Sequence, residues 1–135
     1  NSISERLQLY KDLNTIENED NLNIFVEQIT DRFGKIPPEV EKLLHTIRLR
    51  WIAKDLGFEK IILKANKMIA YFVANPNSSF FKSEQFGLIL KFIQLNPKSC
   101  QMKEKNNKLS LTFEKISTVE VALFQLKMIA NDFLK

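Results

Sequence analysis

Asp20, Glu27 and Asp31 recur along one stretch of the chain, with Ile24 set among them and Gln28 beside them. In a helix each residue turns about 100°, so the three carboxylates share one side. Leu22, Phe25, Val26, Ile29 and Phe33 form an apolar stripe opposite. Two readings follow. A solvated face with one stray isoleucine is common. The sharper reading is a docking strip, where carboxylates meet arginines of a partner in directional, bidentate pairs and Ile24 fills a small pocket. Such contacts favour specificity and encounter rate over raw affinity. A second group, Lys98, Lys103, Lys105 and Lys108, could hold phosphates without sequence preference. Its plainer reading is an edge strand protected by lysines. Arg48 and Arg50 are a further basic spot, with no exposed aromatic row beside them.

Chemistry of other kinds is sparse. No GxxxxGK[ST] loop occurs, and three glycines leave no Gly-rich dinucleotide turn. His45 and Cys100 are the only residues of their types. His45 reads as a surface or half-buried helix residue, and Cys100 as a small hydrophobe. Together they cannot build a zinc site without several carboxylates. Glu39 and Glu41 read as partners of a helix dipole. No catalytic, cofactor or metal residue is assigned. An enzyme working through Asp, Glu and Lys alone is the third reading, behind an interaction domain and a nucleic-acid module.

With 135 residues, 44% of them hydrophobic and 27% charged, the chain is expected to form one globular domain spanning 1–135. Eleven Phe against one Trp and two Tyr point to a core use of the rings. A single cysteine excludes an internal disulfide and fits a reducing, cytoplasmic setting. No apolar run approaches the roughly 20 residues that span a bilayer. The first residue is not Met, so the chain is expected to be a piece of something longer. Charge is unevenly spread. Residues 1–41 carry four bases against nine acids, net −5, and residues 42–135 carry sixteen against seven, net +9. Such asymmetry suggests charged partners.

From the N-terminus, Ser4 is expected to cap a helix through about Thr15, with Ile3, Leu7, Tyr10 and Leu13 roughly on one side. The acidic helix follows from about Asp20 to Phe33, and Gly34 ends it in a left-handed conformation. Pro38 opens a third helix and Pro37 keeps Ile36 out of the helical region. That helix, closed by Gly57, has apolar residues on two sides: Val40, Leu43, Leu44, Ile47 and Trp51, then Leu49, Ile52 and Leu56. Residues 60–65 and 68–74 read as a strand hairpin. A helix is expected at 83–95, with Phe86, Leu90 and Ile93 inward and Gly87 as a weak point. Strands at 100–105 and 108–114 flank Asn106-Asn107 as a second hairpin. Thr118 caps a last helix to the C-terminus, which carries the apolar residues Val121, Leu123, Phe124, Leu126, Met128 and Phe133. The fold class is α+β: three N-terminal helices, two hairpins separated by a helix, and a C-terminal helix.

The segments ERLQLYKDLN (5–14), FVEQITDRFGKIPPEVEKLL (25–44) and RLRWIAKDLGFEKI (48–61) together resemble the C-terminal domain of bacterial transcription-repair coupling factors (Mfd). DRFG-x-x-P-x-x-V-x-x-LL carries most of the resemblance, and A-x-x-LG-x-x-KI strengthens it. The second half matches more loosely through Asn75-Pro76, Asn96-Pro97 and LSLTF (109–113). The resemblance implies a parent that is an ATP-driven double-stranded DNA translocase. That parent displaces stalled RNA polymerase and recruits UvrA, with ATP and Mg bound upstream. It implies that this last domain is no motor. By the same resemblance it is expected to pack on a UvrB-like N-terminal module of the same protein and to mask the UvrA-binding surface, an autoinhibitory clasp released at polymerase. Asp31 matches the family's docking Asp. Gln28 stands where some members carry Glu, and Glu27, beside it, points about 100° away. The substitution implies a weaker clasp or a different residue on the partner. Arg32 has two expected uses, docking and pairing with nearby carboxylates. Gly34, Pro37 and Pro38 are expected to hold the acidic helix rigidly, so that it docks with little ordering cost.

Overall fold

The third helix organises the chain because both of its sides are apolar. A computed structural model describes the backbone of residues 2–133 and the side chains of residues 4–131. The elements are α1 (Ser2–Asn14), α2 (Glu19–Phe33), α3 (Pro38–Asp55), β1 (Phe58–Lys64), β2 (Lys67–Phe72), α4 (Glu84–Leu95), β3 (Cys100–Lys105), β4 (Lys108–Glu114) and α5 (Val119–Phe133). A short 3-10 turn, Ser79–Lys82, precedes α4. The order and the α+β class are those expected. The expected hairpins form, and β2 and β4 pair antiparallel to join them into one sheet in the order β1-β2-β4-β3.

Both hairpin turns are two residues long with positive φ at each: Ala65 and Asn66 at 52° and 60°, Asn106 and Asn107 at 54° and 64°. That pair of signs suits the right-handed twist of the flanking strands, and Asn tolerates it better than most residues. The first turn sits at Ala65-Asn66, so β1 stops and β2 starts one residue earlier than expected, while β1 reaches back to Phe58 and β2 ends at Phe72.

Two cores meet along α3. Leu49, Ala53 and Leu56 join the sheet residues Met68, Ala70, Phe72, Leu111 and Phe113, with Ile89 and Phe92 of α4 and Leu123, Leu126 and Ile129 of α5. Leu44 and Ile47 join Leu13 and Leu22 in a smaller cluster that Phe25, Val26 and Trp51 flank. Beside the large core, Phe72, Phe80, Phe81 and Phe86 form a knot of rings with centroids 5.2–6.3 Å apart. The phenylalanines are thus mostly packing residues.

The inward stripe expected of α4 turns out rotated, and other apolar helix residues face solvent. In α4 the fully buried residues are Ile89 and Phe92, while Phe86, Leu90 and Ile93 are half-buried. In α5 Ala122 and Ile129 go inward, and Val121, Phe124 and Met128 face solvent, Phe124 with 66% of its surface exposed. Ala122, Leu123, Leu126 and Ile129 form the buried stripe at helical spacing, which leaves Val121, Phe124 and Met128 on the outer side. Leu7 and Tyr10 of α1 are exposed, and among the described side chains of this helix Leu13 alone is buried. Phe33, expected inward, is 49% exposed. The side chains of Ile3 and Phe133 lie outside the described residues. Ser4 is inside α1, which begins at Ser2, so it caps nothing. Thr118 caps α5 as expected, its hydroxyl accepting from the Val121 N–H at 3.1 Å.

Two glycines test this packing in opposite directions. Gly57 has φ +93°, and a Cβ there would stand 2.2 Å from the Phe80 ring. Gly57→Ala is expected to destabilise the chain by more than about 1 kcal/mol in denaturant titrations. Gly87 lies within α4 with open space around its missing Cβ. Gly87→Ala is expected to stabilise it by about 0.5–1 kcal/mol.

Candidate functional site

The acidic helix begins one residue before its expected start, because Asn18 caps it. The Asn18 Oδ1 accepts from the Asn21 N–H at 2.8 Å, satisfying a donor that the first turn leaves open. Leu22 and Ile29 are buried and hold one side of α2 inward. Asp20, Ile24, Glu27, Gln28 and Asp31 are all exposed, Ile24 at 53%. Among the described residues Asp20, Glu27 and Asp31 have no ion-pair partner.

Asp31 and Gln28 come together on a shallow groove between α1 and α2, which Asp12, Thr15 and Arg32 also line. The distant Asp12 escaped the sequence reading because nothing in the spacing of α2 points to α1. Its carboxylate accepts from the Gln8 side chain at 2.9 Å. Asp20, Ile24 and Glu27 lie outside this groove, on the adjoining surface of α2. Arg32 lies over the Phe33 ring, 4.9 Å from its centroid. It forms no salt bridge among the described residues, which corrects the expected carboxylate pairing.

The corner after α2 holds the groove in place. Gly34 has φ 83° and ψ −157°. This is the mirror of extended backbone rather than the left-handed helical turn expected, and it is all but restricted to glycine. Its N–H still closes the helix onto the Thr30 carbonyl at 2.9 Å. Pro37 is extended at φ −65° and ψ 154°, and Pro38 opens α3.

Arg48 and Arg50 do not form a free basic spot. Arg48 Nε and Nη2 donate to the two Glu19 oxygens at 3.0 and 2.8 Å. Arg50 reaches the Asn14 side chain at 3.4 Å. Trp51 Nε1 donates to the Ile16 carbonyl at 3.1 Å. Three polar ties from α3 therefore fix the α1–α2 connection. The Arg48 hydrogen bond holds the Glu19 carboxyl below its usual range, against a smaller opposing push from burial.

Lys103, Lys105 and Lys108 gather around the second hairpin, whereas Lys98 sits apart in the turn before β3. His45 is half-buried, and its Nδ1 has no hydrogen-bond partner. Cys100 is buried, and burial pushes its thiol up. Among the described residues no three His, Cys, Asp or Glu gather as metal ligands, and no helix is long and apolar enough to cross a membrane.

The TRCF domain family matches residues 1–83. A transcription-repair-coupling factor of Helicobacter pylori is 42% identical over 60 residues, 44% of this chain and 6% of that protein. One of Rickettsia conorii is 25% identical over 101 residues, 75% of this chain and 8% of that protein. The chain thus spans under a tenth of these relatives. The crystal structure of a C-terminal domain of transcription-repair coupling factor superposes with a TM-score of 0.69, covering 95% of this chain and 82% of that one at 19% identity. At that identity the superposition speaks for the fold.

The Glu19–Arg48 pair predicts a pH dependence with a definite sign. A carboxylate held below its ordinary value adds stability above that value, about 4.5, and loses it as pH falls through the folded pKa. Glu19→Gln is expected to cost no more than about 1 kcal/mol near neutrality, since the pair is partly exposed. The gap from wild type should narrow as pH drops below about 4.5. Urea titrations of both proteins at neutral and acid pH check this. A gap that persists unchanged in acid would show that the carboxylate charge is not what ties α2 to α3.

Proposed function

This chain belongs to the TRCF domain family, and from that premise we propose that it is the non-catalytic C-terminal regulatory domain of a transcription-repair coupling factor. In this reading the whole of residues 1–135 is one domain of a longer ATP-dependent DNA translocase that clears stalled RNA polymerase. It docks on the UvrB-like N-terminal module of the same protein and masks the surface that UvrA would use.

The observation that carries this reading is the set of unpaired carboxylates on the exposed side of α2. An unpaired surface carboxylate costs the fold nothing and leaves its oxygens free for an arginine fork. Asp31 is the centre of the proposed contact. Gln28 lies on the same groove and Asp12 supplies a second carboxylate there. Gln28 can accept or donate a hydrogen bond but brings no charge. Asp12 is positioned to take over part of that role. Ile24 gives the neighbouring surface an apolar point of contact. The Gly34–Pro38 corner and the ties from Arg48 and Trp51 keep the surface from reorganising on docking, which lowers the entropic cost.

Calorimetric titration of this chain against the UvrB-like module of its own protein tests the proposal. Binding is expected to weaken with salt. Asp31→Arg is expected to leave the thermal melt unchanged and to cost ~1–3 kcal/mol of binding, about fivefold or more in Kd. Asp12→Arg is expected to act in the same direction. Full binding by both variants would remove the acidic groove as the docking surface. A collapsed melt for Asp31→Arg would assign that carboxylate to the fold instead.

A further inference from the structure

All six lysines on the four strands point to one side of the sheet. The core positions Met68, Ala70, Phe72, Cys100, Leu111 and Phe113 occupy the face that the helices cover. Side chains alternate along a strand. Lys60 and Lys64 of β1, Lys67 of β2, Lys103 and Lys105 of β3, and Lys108 of β4 therefore share the other face. All six are exposed.

The register sets these charges in rows. Lys60, Tyr71, Ser110 and Lys103 stand side by side across the four strands. Lys105 and Lys108 are directly opposite one another at the second hairpin, as are Lys64 and Lys67 at the first. Like charges in directly opposed positions destabilise a sheet. Glu114 relieves one pair, 3.8 Å from Lys67. Among the described residues the other five lysines have no carboxylate partner. Protection of a sheet edge explains lysines on β1 and β3. It does not explain Lys108 on the interior strand β4, set against Lys105.

A depression of about 500 Å³ opens over the row that contains Tyr71. Lys60 bounds one side and Lys103, Lys105 and Lys108 the other, with Ser110 on the floor and Glu59 as the lining carboxylate. Lys60 Nζ lies 6.0 Å from the Tyr71 ring centroid, and that ring is half-buried. Lysines two residues apart on a strand stand about 6.6 Å apart, close to the step between neighbouring phosphates of an extended strand. Lysine offers a point charge and no planar fork, which suits phosphate oxygens better than paired recognition of carboxylates.

We propose that this sheet face binds a single strand of nucleic acid. Phosphates lie against Lys60 on one side and Lys103, Lys105 and Lys108 on the other, and one base rests on Tyr71. This surface belongs to the sheet, not to α2, and the inference does not depend on the docking reading above.

Fluorescence anisotropy with a labelled oligothymidylate of about 20 nucleotides tests it. Four phosphate contacts give an affinity that falls about 50-fold between roughly 50 and 200 mM salt. Lys60→Glu on β1, and Lys103→Glu with Lys105→Glu on β3, are each expected to weaken binding at least about tenfold with unchanged melts. If the paired variant misfolds, Lys103→Gln with Lys105→Gln replaces it, with a smaller loss in the same direction. Tyr71→Leu is expected to cost about fivefold or more. Asp31→Arg should leave binding intact, which separates this surface from the acidic groove. No binding at about 50 mM salt would overturn the proposal. So would a loss confined to the β3 lysines, because the charge would then act as a local hairpin patch. Displacement by polyglutamate as effective as by unlabelled oligonucleotide would reassign the face to an acidic protein segment.

Discussion

Everything in this chain hangs on α3 having no side to spare. Leu44 and Ile47 face the N-terminal helices, and Leu49, Ala53 and Leu56 face the sheet. A helix between two apolar layers cannot rotate to favour one without exposing the other. Its orientation is therefore set by two independent packings. The acidic surface on α2 and the lysine surface on the sheet take their relative positions from that single element. Pro38 at its start and Gly57 beyond its end mark where the chain must leave it.

The two surfaces are made by different means. The acidic one is a helix face whose carboxylates lack partners, steadied by polar ties from Arg48 and Trp51. The basic one is a sheet face whose charges are imposed by strand register, even where register sets lysine against lysine. The uneven charge of the sequence, acidic through residue 41 and basic beyond it, thus maps onto two structural layers. Opposite charges are kept on opposite layers of one fold, so each can meet a partner of its own sign preference.

Elements and their order were legible because the signals for them are local. Asn106-Asn107 marks a tight turn, Thr118 a helix start, and Gly34 with two prolines a corner. What the sequence hid was set by contacts between elements. Ala122, Leu123, Leu126 and Ile129 fall at helical spacing, but choosing that stripe over one through Val121 and Phe124 takes contacts with neighbouring elements. The pairing of β2 with β4 joins distant residues, so the hairpins read as separate units. For the same reason the sequence does not show Lys60 and Tyr71 to be neighbours of Lys103. On the acidic side, helical spacing alone is enough to make Asp20, Glu27 and Asp31 exposed. Asp12 needs the docking of α1. Arg48 looks free in the sequence because Glu19, its partner, is 29 residues away and meets it only when α2 packs on α3.

The two cores are very unequal. Among the described residues the cluster that holds α1 and α2 to α3 has four buried members, whereas the one that closes the sheet layer has seventeen. Cooperative opening tracks buried apolar contact. The N-terminal helices are therefore expected to detach before the sheet and α5 open. Amide hydrogens of α1 and α2 would exchange with solvent deuterium through that partial opening, and those of β2 and β4 only through global unfolding. The acidic surface is then carried on a separable limb of the molecule, and its presentation has an equilibrium of its own.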